Sequence, residues 1–363
     1  MADNFDLARM ALQATCPNNE ILVDDLGYPS VMVRVPKMSY ADLGLGSSTA
    51  THPAFIVNGS EVDEILISKY QNVVMNGRAY SLPGQDPKAN ITFDSALGAC
   101  TAKGAGWHLM TMMEWGMLAQ WCKNNGTMPK GNNNYGKDTG DSVYQAIPSM
   151  ARDGSNRIQR VATGTGPLSW SHDGSPSGIW DLNGNVYEWC GGIRTYGGEV
   201  QILANNNGAD SDHSQLATSA EWKAIDASDG SLITPNGSGT TTGSVKMDWT
   251  GGHCHYDTTI ADTDRKGKGC TFESITCSAN ISAAAQLLLQ ALGIFKYDST
   301  AGAYLGDYFY LDNTAGLERS FRRGGVWNDG ANAGVFYSSG FNGRGASYAN
   351  FGFRSAFVKL PAA

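Results

Sequence analysis

Gly178-Ile179-Trp180-Asp181-Leu182-Asn183-Gly184-Asn185-Val186-Tyr187-Glu188-Trp189-Cys190 sets three aromatic side chains around one turn-forming glycine. Gly184 lets the chain reverse sharply, and Trp180, Tyr187 and Trp189 supply core area. A second pattern follows far downstream: Phe321-Arg322-Arg323-Gly324-Gly325-Val326-Trp327, then Asn350-Phe351-Gly352-Phe353-Arg354-Ser355-Ala356-Phe357. Glu188 in the first stretch has the arginines of the second, Arg323 or Arg354, as partners for a buried ion pair.

Composition bounds what surrounds these stretches. Glycine accounts for 45 of 363 residues, about 12 % against a usual ~7 %. Only 17 % of residues are charged. Both point to a loop-rich fold with few long helices. The net charge of -8 argues against nucleic acid or an anionic membrane as a partner. No apolar run is long enough for a membrane-spanning helix. The start, Met1-Ala2-Asp3-Asn4-Phe5-Asp6, lacks the basic and apolar regions of a signal peptide, so cytoplasmic synthesis is expected. The seven cysteines form no dense framework. Cys100, Cys122 and Cys190 read as small buried hydrophobes, whereas Cys254, Cys270 and Cys277, in a polar segment, are candidates for bridging.

Along the chain, residues 4–15 carry a short amphipathic helix, with Asn4 as cap and Leu7, Met10, Ala11 and Ala14 on one face. Strands are expected at 21–23 and 31–35, and a polar linker at 38–53. A boundary near residue 50 separates an N-terminal segment, 1–50, from the main unit, 51–363; the alternative is that the first 50 residues add strands to that unit. Asn58-Gly59 marks a hairpin. Helices are expected at 95–103, with Asp94 as cap, and after Thr111, whose hydroxyl forms a capping box with Glu114. Residues 195–315 are polar and irregular apart from a helix at 282–292, and read as a long insertion. His253-Cys254-His255 has metal-like residue types but lacks partners at finger-like spacing.

In order and spacing, the Trp-Asp, Gly-Asn and Glu-Trp pairs of 180–189, Arg323-Gly324-Gly325-x-Trp327 and Gly352-Phe353-Arg354 resemble the formylglycine-generating-enzyme branch of the C-type lectin fold. The resemblance covers about 55–190 and 316–358. It implies an α+β, loop-rich, C-type-lectin-like domain with a long insertion. Relatives hold calcium at the position of Asn185, the Val186 carbonyl and Glu188, so a structural calcium there is a candidate; no other cofactor is expected. The formylglycine-generating enzyme itself needs two cysteines near the chain end for copper, and none follows Cys277 here. The three-histidine iron site of ergothioneine-synthesis relatives also has no counterpart. The branch holds both enzymes and binders, so the fold leaves function open. An oxidase or oxygenase with a degenerate site is one alternative to a phage binder, and a cellular surface-display protein, which a signal peptide would favour, is another.

The segment between the closing motifs bears on that choice. Residues 326–350 are nearly uncharged and rich in Asn, Ser, Gly, Tyr and Phe, the chemistry of antibody paratopes. They resemble the variable region of proteins diversified by retroelements, where adenine-directed mutagenesis yields these residue types. Residues 3–35 and 53–150, including Trp107-His108-Leu109-Met110-Thr111 and Gly131-Asn132-Asn133-Asn134-Tyr135-Gly136, resemble gut-phage variable proteins. The resemblance implies a non-enzymatic, hypervariable receptor-recognition protein at a phage tail tip. Its variable region would span about 323–357, with a binding face of Val326, Asn328, Asp329, Tyr337, Ser339, Phe341, Asn342, Gly343, Ala346 and Tyr348. Trp327, Phe353 and Arg354 are expected as buried scaffold. The implied partners are a bacterial surface protein or glycan, virion tail components and a second copy of the chain, without nucleic acid or membrane insertion.

Overall fold

The computed structural model describes residues 5–361; Asn4, expected as a helix cap, lies outside them. Two sheets share a core. One has the order Asn19–Val23, Pro29–Pro36, Glu64–Ser68, Ser355–Phe357, Trp107–Leu109. Its first two strands come from the first 50 residues, and Pro29–Pro36 pairs antiparallel with Glu64–Ser68. The last strand before the C-terminus inserts between Glu64–Ser68 and Trp107–Leu109. This interleaving joins the two chain ends in one sheet.

The larger sheet is built on Tyr187–Tyr196, the strand that follows the Gly184 turn. Gly184 has φ +78, and a Cβ there would lie 2.1 Å from the Asn132 carbonyl oxygen, so only glycine fits this crossing. Glu318–Arg323 pairs antiparallel along Tyr187–Tyr196, with an irregularity between Ser320 and Phe321. Phe351–Phe353 runs parallel to its start, opposite Tyr187, Glu188 and Trp189. The two closing motifs therefore flank the first stretch directly.

The segment 195–315 is woven into this sheet. Glu199–Ile202, Lys246–Thr250 and His253–Asp257 extend it on one side. On the other side Tyr308–Leu311 pairs parallel with Ser338–Gly340 and antiparallel with Lys268–Thr271.

Helix Met112–Asn124 starts at the Thr111–Glu114 capping box and is almost wholly buried. Gly126, with φ +66, follows its end. The preceding helix is Phe93–Thr101, two residues earlier than the pattern suggests, because the Thr92 hydroxyl rather than Asp94 accepts the Ser95 amide. Ser282 caps Ala283–Ala291; Leu289 and Leu292 are buried, while Leu288 is half-buried. Helix Asp6–Thr15 forms, but its apolar stripe faces solvent: Leu7 and Met10 are exposed, and the helix is held by Arg9 on Glu20. All seven cysteines are among the described residues and none forms a disulfide; the Cys254 amide instead donates to Cys270 Sγ at 3.4 Å. Among the described residues no helix is long and apolar enough to cross a membrane.

Candidate functional site

The closing segment is rigid underneath and open above. Underneath, the Val335 carbonyl accepts from Trp115 Nε1 (2.8 Å) and from Arg323 Nη2 (3.2 Å). The buried Asp307 carboxylate accepts from the Phe336 amide (2.7 Å). Loop 326–333 is tied to the loop at 131–136 by Tyr135 N to Trp327 O (2.7 Å) and Gly330 N to Asn133 O (2.9 Å). Loop 341–350 is tied to the start of helix Phe93–Thr101 by Phe93 N to Arg344 O (3.0 Å), and Arg344 pairs with Asp94 and Glu318.

Above this frame lies a cavity of about 480 Å³. The closing segment gives it Tyr337, Ser339, Phe341, Asn342 and Tyr348, then Asn350 and Phe351. Tyr187 and Arg322 line it from the central strands. Gly267, Lys268, Gly269 and Tyr310 complete it from the segment read as an insertion. Phe341 and Tyr348 are exposed at the rim, 43 % and 56 %. Tyr187 and Tyr337 stack, with ring centres 5.3 Å apart and hydroxyls 3.2 Å apart.

The ten residues expected on one exposed face divide three ways. Asn328, Phe341 and Tyr348 are exposed. Asp329, Asn342, Gly343 and Ala346 are half-buried. Val326, Tyr337 and Ser339 are buried, which corrects the expectation for these three. Val326 packs with Val186 and Trp327 below the loop. Ser339 is enclosed because Ser338–Gly340 is a strand between two others. Tyr337 keeps an edge on the cavity. Asp329 accepts from the Val326 amide (3.1 Å) and the Tyr187 hydroxyl, and burial raises its carboxyl to about 6. Trp327, Phe353 and Arg354 are buried.

Tyr187, Arg322, Tyr310 and Lys268 were not anticipated at the site. Tyr187 and Arg322 carried a signal, since each stands in a quoted motif one position from a core residue. In a strand, neighbours point to opposite faces. Tyr310 and Lys268 depend on a long-range pairing that no local pattern announces.

The residues considered for calcium do not fit that ion. The Glu188 carboxylate accepts from Arg354 Nε (2.5 Å), Arg354 Nη2 (2.6 Å) and Gln71 Nε2 (3.0 Å). Gln71 Nε2 also faces the Val186 carbonyl at 3.1 Å. Asn185 Oδ1 accepts from the Val161 amide and Asn132 Nδ2. Every candidate oxygen meets an N–H donor where a cation would sit. The arginine partner of Glu188 is Arg354; Arg323 goes to the Gly293 and Val335 carbonyls. In strand His253–Asp257, Cys254 is buried, while His255 bonds Thr276. Among the described residues no cluster of three His, Cys, Asp or Glu is placed to hold a metal.

A second cavity of about 490 Å³ lies between Ser238–Gly243, Lys246 and Thr258–Ile260, away from every residue anticipated at the site.

No curated protein matches the chain. Among solved structures, PvdO from Pseudomonas aeruginosa is similar at 13 % identity and TM-score 0.34, covering 91 % of this chain and 94 % of that one. Treponema denticola variable protein 1 is similar at 11 % identity and TM-score 0.32, covering 93 % and 98 %. The Major Tropism Determinant P3c variant is similar at 11 % identity and TM-score 0.31, covering 93 % and 71 %. The model of the sulfatase-modifying factor enzyme 1-like domain matches residues 48–230, just over half of the chain, running past Trp189 into the segment read as an insertion. With that match and the turn, paired strands and Glu188–Arg354 ion pair of its centre, the chain belongs to the sulfatase-modifying factor enzyme 1-like domain family and has its C-type lectin fold.

Proposed function

We propose that the chain is a non-enzymatic ligand-binding protein of the retroelement-diversified type. The observation that carries this reading is the cavity whose rim comes from the closing segment. Exposed Phe341 and Tyr348, with Asn342, stand on a frame held by backbone bonds and buried side chains. Aromatic residues on a rigid base give contact area at small entropic cost, and asparagine adds adaptable hydrogen bonds. Replacing side chains at such a rim leaves the bonds beneath untouched.

The residue chemistry weighs against an oxidase. No cysteine follows Cys277, and burial raises the thiols of Cys190, Cys254 and Cys270, opposing the thiolate that copper binding needs. The ligand is a bacterial surface protein or glycan, and the chain acts on a virion, at a tail tip, beside other tail components and with further copies of itself.

Deep sequencing of this gene from a population of its source tests the reading. Variation is expected to concentrate in the codons of exposed and half-exposed positions in 328–348, at adenines, with Trp327, Phe353 and Arg354 constant. Variation spread evenly along the gene would overturn it.

A further inference from the structure

The cavity contains a cation with no carboxylate at ion-pair distance among the described residues, Asp329 acting on it only from further away. Arg322 is only 3 % exposed and lines the cavity. Its Nη2 donates to two neutral oxygens, Ser339 Oγ (3.2 Å) and Asn342 Oδ1 (2.5 Å). Its Nε is buried and has no hydrogen-bond partner among the described residues. Burial lowers its pKa to about 10, so it stays cationic at neutral pH. The guanidinium lies 3.8 Å from the ring centre of Phe351 and 4.7 Å from that of Tyr187. Aromatic faces offset only part of the cost of a desolvated charge.

Other nearby cations have carboxylate partners, and Arg323, which has no ion pair among the described residues, donates to the Gly293 and Val335 carbonyls and does not line the cavity. Arg354 has Glu188, Arg344 has Asp94 and Glu318, and Lys268 at the cavity wall has Asp262. Asp329 attracts Arg322 at longer range, but its direct bonds go to the Val326 amide and the Tyr187 hydroxyl. Arg322 is therefore a buried cation at the cavity wall with donor capacity left for an anionic ligand, and its planar fork suits a carboxylate.

The walls narrow the choice of what carries that carboxylate. Tyr310 and Tyr348 line the cavity with apolar rings and hydroxyls, the stacked Tyr187–Tyr337 pair lines it beside them, and the Asn342 and Asn350 amides add donors and acceptors. A pyranose ring has the matching pair of features, C–H faces and hydroxyl edges. We propose that the cavity binds a carboxylate-bearing sugar of the uronic-acid class, its carboxylate on Arg322 and its ring against the tyrosine faces. This deepens the ligand-binding reading and rests on it. Arg322 precedes residues 326–348, so it is a constant anchor beneath a replaceable rim. Changes at Phe341 or Tyr348 select among acidic sugars without touching the bonds that hold the anchor.

Ligand-observed NMR titration of the full chain tests this with glucuronate, its methyl ester, glucose and N-acetylglutamate. Glucuronate is expected to bind at least about tenfold more tightly than the ester or glucose, a difference of ~1.4 kcal/mol. Arg322→Gln is expected to abolish that preference. Tyr348→Ala, at an exposed position, is expected to weaken glucuronate several-fold with no change in melting, which keeps the test decisive if Arg322→Gln fails to fold. Equal binding of ester and acid overturns the role of Arg322. Absence of glucuronate binding, or binding of N-acetylglutamate alone, overturns the sugar assignment, the latter in favour of an acidic peptide. Population sequencing judges the diversified-binder reading separately, so the two can fail independently.

Discussion

The ring of Phe341 rests directly on the backbone of Gly267: a Cβ at Gly267 would lie 1.8 Å from the ring. One residue belongs to the closing loop and the other to the segment read as an insertion, so that segment forms a wall of the site. Two residues on, Gly269 gives the same room to Tyr308 and Tyr310.

Gly267→Ala is accordingly expected to swing Phe341 outward and reshape the cavity. Gly267 does not have a positive φ and Phe341 is partly exposed, so folding stability is expected to change by less than about 1 kcal/mol. Chemical denaturation checks this, and crystallography of the variant reads the ring position. An unmoved ring would mean that the backbone yields instead.

The scaffold aromatics are expected to behave in the opposite way. Trp189 is fully buried, donates to the Ile91 carbonyl (3.0 Å) and meets Phe93 and Phe351 edge to face. Trp189→Ala is expected to cost ~3–5 kcal/mol, as for large aromatic truncations in cores. Trp327→Ala is expected to fall toward the lower end, since its edge reaches the surface. Tyr337→Ser is expected to join this group and not the rim. Denaturant melts rank the three.

Local devices in this chain are legible in its sequence, and long-range strand pairing is not. The Gly184 turn, the Thr111–Glu114 capping box, the Asn58-Gly59 hairpin with φ of 54 and 73, and the Glu188–arginine pair were legible because each is a local device or a matched charge pair. The residue types of the ten positions in the closing segment are those of a surface, so most of them are expected to be exposed. The middle of the segment is buried by Tyr308–Leu311, a partner strand well upstream. Pairing at that range is fixed by sheet topology, which residue types do not encode. The same gap concealed Tyr310 and Lys268, and the stripe of helix Asp6–Thr15 shows that periodicity alone does not guarantee burial.

The buried acid at the site sets a pH dependence. Burial raises the Asp329 carboxyl from 3.8 to about 6, so the folded protein retains a proton that the unfolded chain releases over that interval. The stabilising contribution is complete below about pH 4 and is lost as pH rises through about 6. Asp181, raised to about 6 by burial, adds in the same direction. Asp329→Asn is therefore expected to raise the melting temperature at about pH 7.5 by more than at about pH 4.5. Scanning calorimetry at the two pH values checks it; a gain confined to low pH would contradict it.

Calcium is expected to leave the protein unchanged. With Glu188 paired to Arg354 and the Val186 and Asn185 oxygens facing N–H groups, millimolar calcium or a chelator is expected to shift the melting temperature by less than about 1 °C, because a ligand stabilises only through a site in the folded state. A rise of several degrees with calcium would reveal a site elsewhere on the chain.

The triple variant Asn328→Tyr, Phe341→Ser, Tyr348→Ser tests most directly whether a replaceable rim stands on an independent frame. All three side chains are exposed, and the bonds that hold their loops run through backbone atoms, Arg344 and the Asn342 side chain, none of which the variant changes. Unfolding of the triple variant, measured beside Trp189→Ala, is expected to lie within about 1 kcal/mol of the parent protein. A loss as large as that of Trp189→Ala would make these residues part of the core and would contradict the account.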